Sequence, residues 1–396
     1  MKILIVSASY PPYISGVATS TANLANYLSK SHEIKIVAGG SVSRPRKKQL
    51  NPNLTLYLFP GITIRRQKQS LVLPYPYPKQ IKQIIASFRP KIIHLQDFSP
   101  IHLSVFNLAK QQHIPVLMTH HFTAEFVVKT IIANSKLSNT LSQTQITKQL
   151  IYRLVNLFYN HCQLIIVPNH NLITHLKKAH LKTPVMAIPN GIFIKNFQRK
   201  TKLTKVFKQY AITQPQMILY VGRLEIDKNI DVLIEAFNIV HQYNPQTSLV
   251  LVGDGNKKLQ LFNQVKKLHL TDSVYFVGKI DNTSPQLSHL YNAASIFASA
   301  SIIESQGVVF IEAMAAGLPI VACQTPILAS IINPGINGLL FELGNPGALA
   351  VCLQKLLSDQ KLRRIMAANN RQLSKQYDIS LTSQQYLRAY QSLLKP

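Results

Sequence analysis

The sequence has no tryptophan, only three cysteines and only 15 acidic residues among 396. Cys162, Cys323 and Cys352 form no close pair, which argues against a disulfide framework or a structural zinc site and favours a reducing cytosol. No apolar run reaches the roughly 18 residues that a membrane-spanning helix needs. The opening segment MKILIVSASYPP predicts a first β-strand rather than a signal peptide.

The scarcity of acids leaves a formal net charge of +28, which is distributed unevenly. Residues 1–190 contain 22 Lys and Arg against three acids (Glu33, Asp97 and Glu125), whereas residues 191–396 contain 21 against 12. A first half this basic predicts a polyanionic partner, either a nucleic acid or an anionic membrane surface. The alternative is an ordinary solvated surface that is rich in lysine.

Short apolar runs of β-strand type alternate with helical patterns, and the series runs twice. The predicted strands are Ile3–Val6, Ile34–Val37, Leu54–Phe59, Ile92–Leu95, Val116–Met118, Leu164–Val167 and Val185–Ile188, then Met217–Val221, Leu249–Val252, Val274–Val277, Ile296–Ala298 and Pro319–Val321. Such alternation predicts parallel sheets covered by helices on both faces.

A polar, basic stretch at about 191–205 separates the two series. We therefore predict an α/β protein of two doubly wound domains, residues 1–192 and 193–379, which face each other across a cleft. A last helix within 380–396 is expected to pack back on the first domain. Ligands of such sheets bind beyond the carboxyl ends of the strands, so the loops there are the candidate sites.

The segment ASASIIESQGVVFIEAMAAGLPIVAC, residues 298–323, is almost wholly apolar yet contains Glu304 and Glu312. Glu304 is predicted just before a helix N-terminus, where free N–H groups suit a phosphate and Gly307 allows close backbone approach. Glu312 is predicted inside a buried helix, where its carboxylate needs hydrogen-bond donors such as sugar hydroxyls. The structural alternatives are a surface acid at a helix dipole and an acid satisfied within the protein.

Two further loops carry candidate residues. Arg223 and Lys228 follow a predicted strand in YVGRLEIDKNIDVLI, where two cations suit a diphosphate, although solvated loop charges are the alternative. In MTHHFTAEF, His120 and His121 follow a strand, and at most one is expected to line a cleft because neighbouring side chains alternate. His121 and Glu125 lack a third ligand, so we expect no metal. Dinucleotide and P-loop glycine motifs are absent from the sequence.

Together these segments resemble the retaining glycosyltransferases of GT-B architecture, family four. The resemblance is carried, in order along the chain, by ISGVATS with Gly16, THHF with His121, IPNGI at Ile188–Ile192, VGRLEIDKNIDVLIEAF and ESQGVVFIEAMAAGLPIVA. It implies two Rossmann-like domains, with the acceptor bound mainly by the first and a nucleotide sugar by the second. This sequence departs from the family where the common E-x-F-G is ESQG, and where Phe193 replaces an acid that often follows PNGI.

The resemblance also implies roles for individual residues. It assigns catalytic roles to His121, Glu304, Arg223 and Lys228, with Glu304 on the donor sugar, the two cations on the diphosphate and His121 beside the transferred sugar. It assigns Glu312 to the ribose hydroxyls. The implied donor-binding set is Gly16, Gly222, Arg223, Lys228, Val277, Gly278, Lys279, Glu304, Ser305, Gln306, Gly307, Val308 and Glu312. It implies no metal and no cofactor, since the nucleotide sugar is a substrate.

ESQG, DKNIDVLI and ISGV look most like the bacterial diacylglycerol glucosyltransferases, which implies UDP-glucose as donor, a lipid acceptor and retained anomeric configuration. We then interpret the basic first half as a surface for an anionic membrane. The candidate cations are Arg44, Arg46, Lys47, Lys48, Arg65, Arg66 and Lys68. The expected location is the cytoplasmic face of the cell membrane, peripherally bound.

Three alternatives remain open from the sequence. In the first, the acceptor is phosphatidylinositol or a polysaccharide precursor, and the donor is GDP-mannose or another nucleotide sugar. In the second, the chain is a basic nucleic-acid-binding protein. In the third, it is a binding protein without catalytic activity. No nucleic-acid reader motif is recognisable, so no specific nucleic acid is expected as partner.

Overall fold

The structure is a computed structural model that describes the chain except residues 12, 14, 67–68, 98, 123, 125–143, 199–202, 282–283 and 395–396. The strands are β1 (Lys2–Ser7), β2 (Glu33–Gly39), β3 (Arg46–Asn51), β4 (Leu54–Phe59), β5 (Gly61–Arg66), β6 (Gln69–Pro74), β7 (Ile92–Leu95), β8 (Val116–Thr119), β9 (Leu164–Val167), β10 (Val185–Ala187), β11 (Gln216–Val221), β12 (Thr247–Val252), β13 (Val274–Gly278), β14 (Ile296–Ser299), β15 (Ile320–Cys323) and β16 (Gly338–Phe341).

The helices in the described part of the chain are α1 (Gly16–Leu28), α2 (Pro78–Phe88), α3 (Pro100–Gln111), α4 (Gln145–Tyr159), α5 (Asn171–Lys178), α6 (Ile194–Phe197), α7 (Leu203–Tyr210), α8 (Ile230–Tyr243), α9 (Lys258–Lys267), α10 (Pro285–Ala293), α11 (Val308–Ala316), α12 (Pro346–Ser358), α13 (Gln360–Ser374) and α14 (Ile379–Ser392). Short 3₁₀ turns lie at Ile226–Lys228, Leu328–Ser330 and Lys375–Tyr377.

The chain forms two compact units. The first is built on residues Met1–Arg65, Ser70–Gly191 and Ile379–Pro396, and the second on Ile192–Asp378. The change of unit after Gly191 lies at the end of the IPNGI segment, one residue before the boundary predicted from the sequence. The predicted C-terminal helix is α14, which lies in the first unit.

The first unit contains an eight-stranded sheet in the order β10-β9-β8-β7-β1-β2-β4-β3. Its strands pair in parallel except β3, which is antiparallel to β4. Tyr386, Ala389 and Tyr390 of α14 join the same buried cluster as Ile3 and Ile5 of β1. The last helix therefore completes the core of the unit in which the chain begins.

The second unit contains a six-stranded parallel sheet in the order β13-β12-β11-β14-β15-β16. Buried apolar clusters cover both of its faces, one with α10 and α11 and the other with α8, α9 and α12. In chain order within the unit this is 3-2-1-4-5-6, the doubly wound order whose ligands bind where the winding reverses. Here that point lies between β11 and β14.

The α/β prediction of two Rossmann-like sheets is confirmed, and each predicted strand exists with ends shifted by at most two residues. The strands β3, β5, β6 and β16 were not predicted. β3 has the sequence RKKQLN, and its charged residues lie on an exposed edge where lysine discourages further strand pairing. No helix in the described part of the chain has the length and apolar character required to cross a bilayer.

Candidate functional site

The loops after β11 and β14 meet because these two strands are neighbours in the second sheet, paired at Ile218 and Ile296. The loop after β11 carries Gly222, Arg223 and the 3₁₀ turn that ends at Lys228. The loop after β14 carries Ser301 to Gly307 and leads into α11. The sheet order thus brings together residues that are about 75 positions apart in the sequence.

Lys228 and Glu304 form an ion pair in which Lys228 Nζ lies 2.7 Å from Glu304 Oε1. Lys228 Nζ also donates to Ser301 Oγ at 3.0 Å and to the Ile303 carbonyl at 3.1 Å. The Ser301 hydroxyl donates to Glu304 Oε1 at 2.8 Å. The side chains of Lys228 and Glu304 are 12% and 15% exposed, so the pair is held in one geometry yet still reaches the surface.

Asp227 balances the cations of this loop. Its Oδ2 lies 3.2 Å from Arg223 Nη2 and 3.4 Å from Lys228 Nζ. Burial alone would raise the pKa of the Asp227 carboxyl, but the charges of Lys228 and Arg223 outweigh burial and lower it. Arg223 is the most exposed of the three, at 32%, so its guanidinium is the cation best placed to meet an anion from solvent.

The turn before α11 is shaped by Gly307, whose φ of 72° lies in the left-handed region. A Cβ at this position would lie 2.5 Å from the ring of Phe310, so the turn has no space for a side chain. No side-chain oxygen caps this helix, and the first N–H groups of a helix have no carbonyl partner within it. The first N–H groups of α11 therefore follow directly on the loop that carries Glu304, which is paired with Lys228.

Glu312 is buried at 4% exposure inside α11, and it accepts a hydrogen bond from Tyr291 Oη at 2.8 Å. Burial raises the pKa of its carboxyl to about 7, although the hydrogen bond from Tyr291 opposes the rise. Tyr291 lies on α10 and was not singled out from the sequence. The sequence predicted that Glu312 needs a hydrogen-bond donor, and the Tyr291 hydroxyl supplies one to one of its two carboxylate oxygens.

Glycines allow the neighbouring loops of this sheet edge to pack closely. A Cβ on Gly253, which follows β12, would lie 1.8 Å from the carbonyl oxygen of Gly222. Gly253 N donates to the carbonyl of Gly278 at 2.9 Å, so the loop after β12 contacts both the loop after β11 and the last residue of β13. Val277, Gly278 and Lys279 therefore lie at the same sheet edge as Gly222, two strands away, with Lys279 exposed.

In the first unit, the corresponding reversal lies between β1 and β7. Gly16 is the exposed first residue of α1, whose preceding residue Ser15 accepts a hydrogen bond from Ala18 N at 3.0 Å. His121, after β8, is 7% exposed, and its Nε2 lies 2.9 Å from Gln96 Oε1. Burial lowers the pKa of His121 to about 4, so its ring is neutral at pH 7 and donates to Gln96.

A buried polar chain links His121 to the last helix. Gln96 Nε2 lies 3.1 Å from His94 Nε2, and His94 Nδ1 lies 2.7 Å from Tyr390 Oη on α14. His94 Nε2 also lies 2.7 Å from Thr119 Oγ1. The sequence did not indicate Gln96 or His94, because their partners come from other strands and from the far end of the chain.

His120 points into the protein, with its Nδ1 at 2.8 Å from Tyr159 Oη, whereas His121 contacts Gln96 after β7. The two neighbours thus have different surroundings, as alternation predicts. The described residues contain no cluster of three or more His, Cys, Asp or Glu side chains that could hold a metal ion. Glu125 lies outside the described residues.

The predicted membrane cations fall into two groups. Arg44 is exposed, and Arg46, Lys47 and Lys48 are exposed along β3. Arg65 and Arg66 end β5, and Lys68 lies outside the described residues.

Comparisons with known proteins identify the family. Residues 14–195 match the model described as Glycosyltransferase Family 4, and residues 203–373 match the model described as Glycosyl transferases group 1. The chain belongs to this family of glycosyltransferases. The two matches divide the glycosyltransferase chain close to the change of unit after Gly191.

The relatives of this glycosyltransferase are distant but cover most of its length. It is 25% identical to the alpha-monoglucosyldiacylglycerol synthase of Acholeplasma laidlawii over 86% of this chain and 85% of that one. It is 28% identical to the protein of the same name from Streptococcus pneumoniae, over 86% and 75%. It is 26% identical to the N-acetyl-alpha-D-glucosaminyl L-malate synthase of Bacillus anthracis, over 100% and 98%.

Among solved structures, Anabaena HepE in complex with UDP superposes with a TM-score of 0.76 at 19% identity, covering 99% of this chain and 100% of HepE. At this identity the likeness concerns the fold, and the fold of this glycosyltransferase is GT-B. The family resemblance inferred from the sequence motifs is confirmed. The roles predicted for individual site residues stay predictions.

Proposed function

We propose that this glycosyltransferase moves a hexose from a nucleotide sugar, UDP-glucose in the first instance, to a lipid acceptor such as 1,2-diacylglycerol, with retention of anomeric configuration. The observation that carries the donor half of the proposal is the ion-paired Lys228 and Glu304 beside the uncapped turn of α11. Cations, the N–H groups of a helix N-terminus and a carboxylate are the chemistry that a sugar diphosphate needs at one place.

The diphosphate is assigned to the cations and the turn. Lys228 binds the loop that leads into the Ser305–Val308 backbone, and both Lys228 and Arg223 are already neutralised in part by Asp227. As the bond from the anomeric carbon to the phosphate oxygen breaks, negative charge grows on the departing diphosphate, and fixed cations stabilise it. The acceptor hydroxyl forms the new bond, and its proton passes to the departing phosphate.

The two acids are assigned to hydroxyl groups. Glu304 keeps Oε1 on Lys228 and Ser301, which leaves Oε2 to accept from a hydroxyl of the donor sugar. Glu312 is assigned to the ribose, because its carboxylate has one donor from Tyr291 and gains from further donors where it is buried. Hydrogen bonds from hydroxyls would favour the charged form and lower the pKa of Glu312.

The lipid acceptor is supported by two relatives named alpha-monoglucosyldiacylglycerol synthase, and by the basic first half of the chain. Each Lys or Arg near an anionic surface contributes about 1 kcal/mol, so a handful suffices for reversible, peripheral docking. The third relative is named for a malate acceptor, so L-malate is included among the acceptors to be tested.

The test is a panel of UDP- and GDP-sugars offered with diacylglycerol, monoglucosyldiacylglycerol, phosphatidylinositol and L-malate, with products read by mass spectrometry. We expect one hexose added to a glycerolipid from UDP-glucose, with an α linkage in the NMR spectrum of the product. Transfer only to malate or only from GDP-mannose would overturn the corresponding half of the proposal. DNA binding without any donor consumption would overturn both halves.

A further inference from the structure

Helix α4 exposes a row of large aliphatic side chains. Ile146, Leu150, Leu154 and Leu157 are 82%, 56%, 60% and 67% exposed. Their spacing of four, four and three residues places them on one face of the helix, which they follow for about 16 Å. We call these four side chains the aliphatic face. Single exposed leucines are ordinary, but four in one row on one helix point to an interaction surface.

The opposite side of α4 is fixed to the first unit, so the aliphatic face is not a core face turned outward. Tyr152, Asn156 and Tyr159 are buried. Asn156 Nδ2 donates to the carbonyls of Leu176 and Ala179 at 2.9 and 2.8 Å, which ties α4 to α5. The Tyr152 ring stacks on His175 of α5 with centroids 5.9 Å apart.

Basic groups lie around this helix pair. Arg153 is exposed beside the aliphatic face, with its Nη2 at 3.2 Å from His180 Nε2. Lys177 and Lys178 are exposed at the end of α5, and exposed Lys182 donates its backbone N–H to Asn160 Oδ1 just after α4. The sequence contains no acid between Glu125 and Glu225.

We propose that the aliphatic face of α4 docks on an anionic lipid bilayer, with its leucines in the interface and the cations of the α4–α5 pair over the lipid headgroups. Apolar side chains on one helix face with cations beside them match the chemistry of that interface. Docking through α4 extends the proposed function to a named membrane surface, and it rests on that function because the lipid acceptor lies in the bilayer. A symmetric dimer through the same face would bring two like-charged groups of cations together, which disfavours a second copy as the occupant.

The first experiment compares vesicle binding by sedimentation, with vesicles of phosphatidylcholine alone and of an equal mixture with phosphatidylglycerol. The test variant is Leu150→Gln/Leu154→Gln, which keeps good helix formers on exposed positions. The matched control is Leu259→Gln/Val351→Gln in the second unit, where the original side chains are 72% and 64% exposed. We expect the test variant to lower partition onto anionic vesicles at least tenfold, and the control to leave it within twofold.

The second experiment uses the absence of tryptophan from the chain. Leu154→Trp places a single indole on the aliphatic face, and Leu259→Trp places one on α9 as control. We expect anionic vesicles to shift the indole emission of Leu154→Trp to the blue, and brominated lipid in those vesicles to quench it. The emission wavelength and intensity of Leu259→Trp should not change. Equal responses of the two variants, or none from either, would overturn the proposal.

These outcomes are separable from those of the proposed function. Vesicle binding and indole emission need neither donor nor acceptor, so they test the aliphatic face even if the transferred sugar goes to a different acceptor. The proposal would be refuted if wild type and Leu150→Gln/Leu154→Gln bound vesicles equally and only wild type self-associated in ultracentrifugation. The aliphatic face would then be a protein–protein interface. Loss of binding in Lys47→Gln/Lys48→Gln but not in the α4 variant would move the membrane surface to β3.

Discussion

Glu304 and Glu312 are eight residues apart in one apolar segment, yet their surroundings differ. Glu304 lies in a loop and is paired with Lys228, whereas Glu312 lies in a buried helix and has the Tyr291 hydroxyl as donor. The sequence indicated that Glu312 needs a donor, because a buried carboxylate without donors is costly. It did not identify Tyr291 as the donor to Glu312, since nothing local to that acid predicts which side chain of another helix will face it.

Removing either cation of this site is expected to weaken turnover. Arg223→Ala and Lys228→Ala should each lower kcat/KM at least tenfold, since one charge-assisted contact at the transition state is worth more than about 1.4 kcal/mol. Steady-state rates with UDP-glucose measure this, with Lys258→Ala on α9 as the matched control. Because Lys228 is largely buried against Glu304, the melting temperature of each variant is measured alongside. Unchanged rates in both variants would refute the assignment.

The buried carboxyl of Glu312 makes a pH prediction. Burial raises the pKa of this carboxyl from its ordinary value of 4.5 to about 7 in the folded protein, so its contribution to the free energy of unfolding is fully present below about pH 4.5. That contribution is lost as the pH rises through 7, because the carboxylate must then ionise in a buried place. In urea titrations, the free energy of unfolding of wild type minus that of Glu312→Gln should therefore fall between pH 4.5 and 7.5. A difference that stays constant with pH would contradict this.

Donor binding should have the opposite pH dependence at the same residue. If ribose hydroxyls donate to Glu312, they favour its charged form, so the affinity for UDP should rise as the pH increases from 6 to 8. Calorimetric titration of UDP at several pH values measures this. Glu312→Gln should flatten the profile, and an equally steep profile in that variant would assign the dependence to another group.

Among the elements, the turn before α11 makes the sharpest prediction. Gly307→Ala and Gly344→Ala both place a side chain at a φ near 73°, where an L-residue is strained. A Cβ at Gly344 meets open space, whereas a Cβ at Gly307 would collide with Phe310. We therefore expect both variants to lose some stability but only Gly307→Ala to lower UDP affinity at least tenfold. Equal UDP affinities in the two variants would exclude a role for this turn in phosphate binding.

The elements that the sequence predicted are those with a strong local signal. Strands of the two parallel sheets are buried on both sides, so they are continuous apolar runs, and GVATSTANLANYL and IDVLIEAFNIVHQY have helical periodicity. β3 was missed because RKKQLN is polar apart from Leu50, and it forms through pairing with β4. The contact of His94 with Tyr390 was missed because 296 residues separate them.

On the scale of the whole molecule, charge and chemistry lie in different parts of the chain. The first 190 residues hold most of the excess of Lys and Arg and the aliphatic face of α4, whereas the second unit holds the Lys228–Glu304 pair. Salt should therefore weaken binding to anionic vesicles and binding of UDP to different extents. Binding to anionic vesicles is expected to fall steeply as ionic strength rises, because exposed charges are screened within about 10 Å at 0.1 M salt. UDP affinity, which rests on partly buried groups, should fall less.

We infer that the loops at the carboxyl ends of β11 and β14, around Lys228 and Glu304, bind the diphosphate of a nucleotide sugar. Calorimetric titration of wild-type protein with UDP and with uridine tests it most directly, because the two ligands differ only in the diphosphate. We expect saturable binding of UDP at one site, at least tenfold tighter than that of uridine, and loss of this preference in Arg223→Ala. Uridine binding as tightly as UDP, or no saturable heat from either, would contradict it.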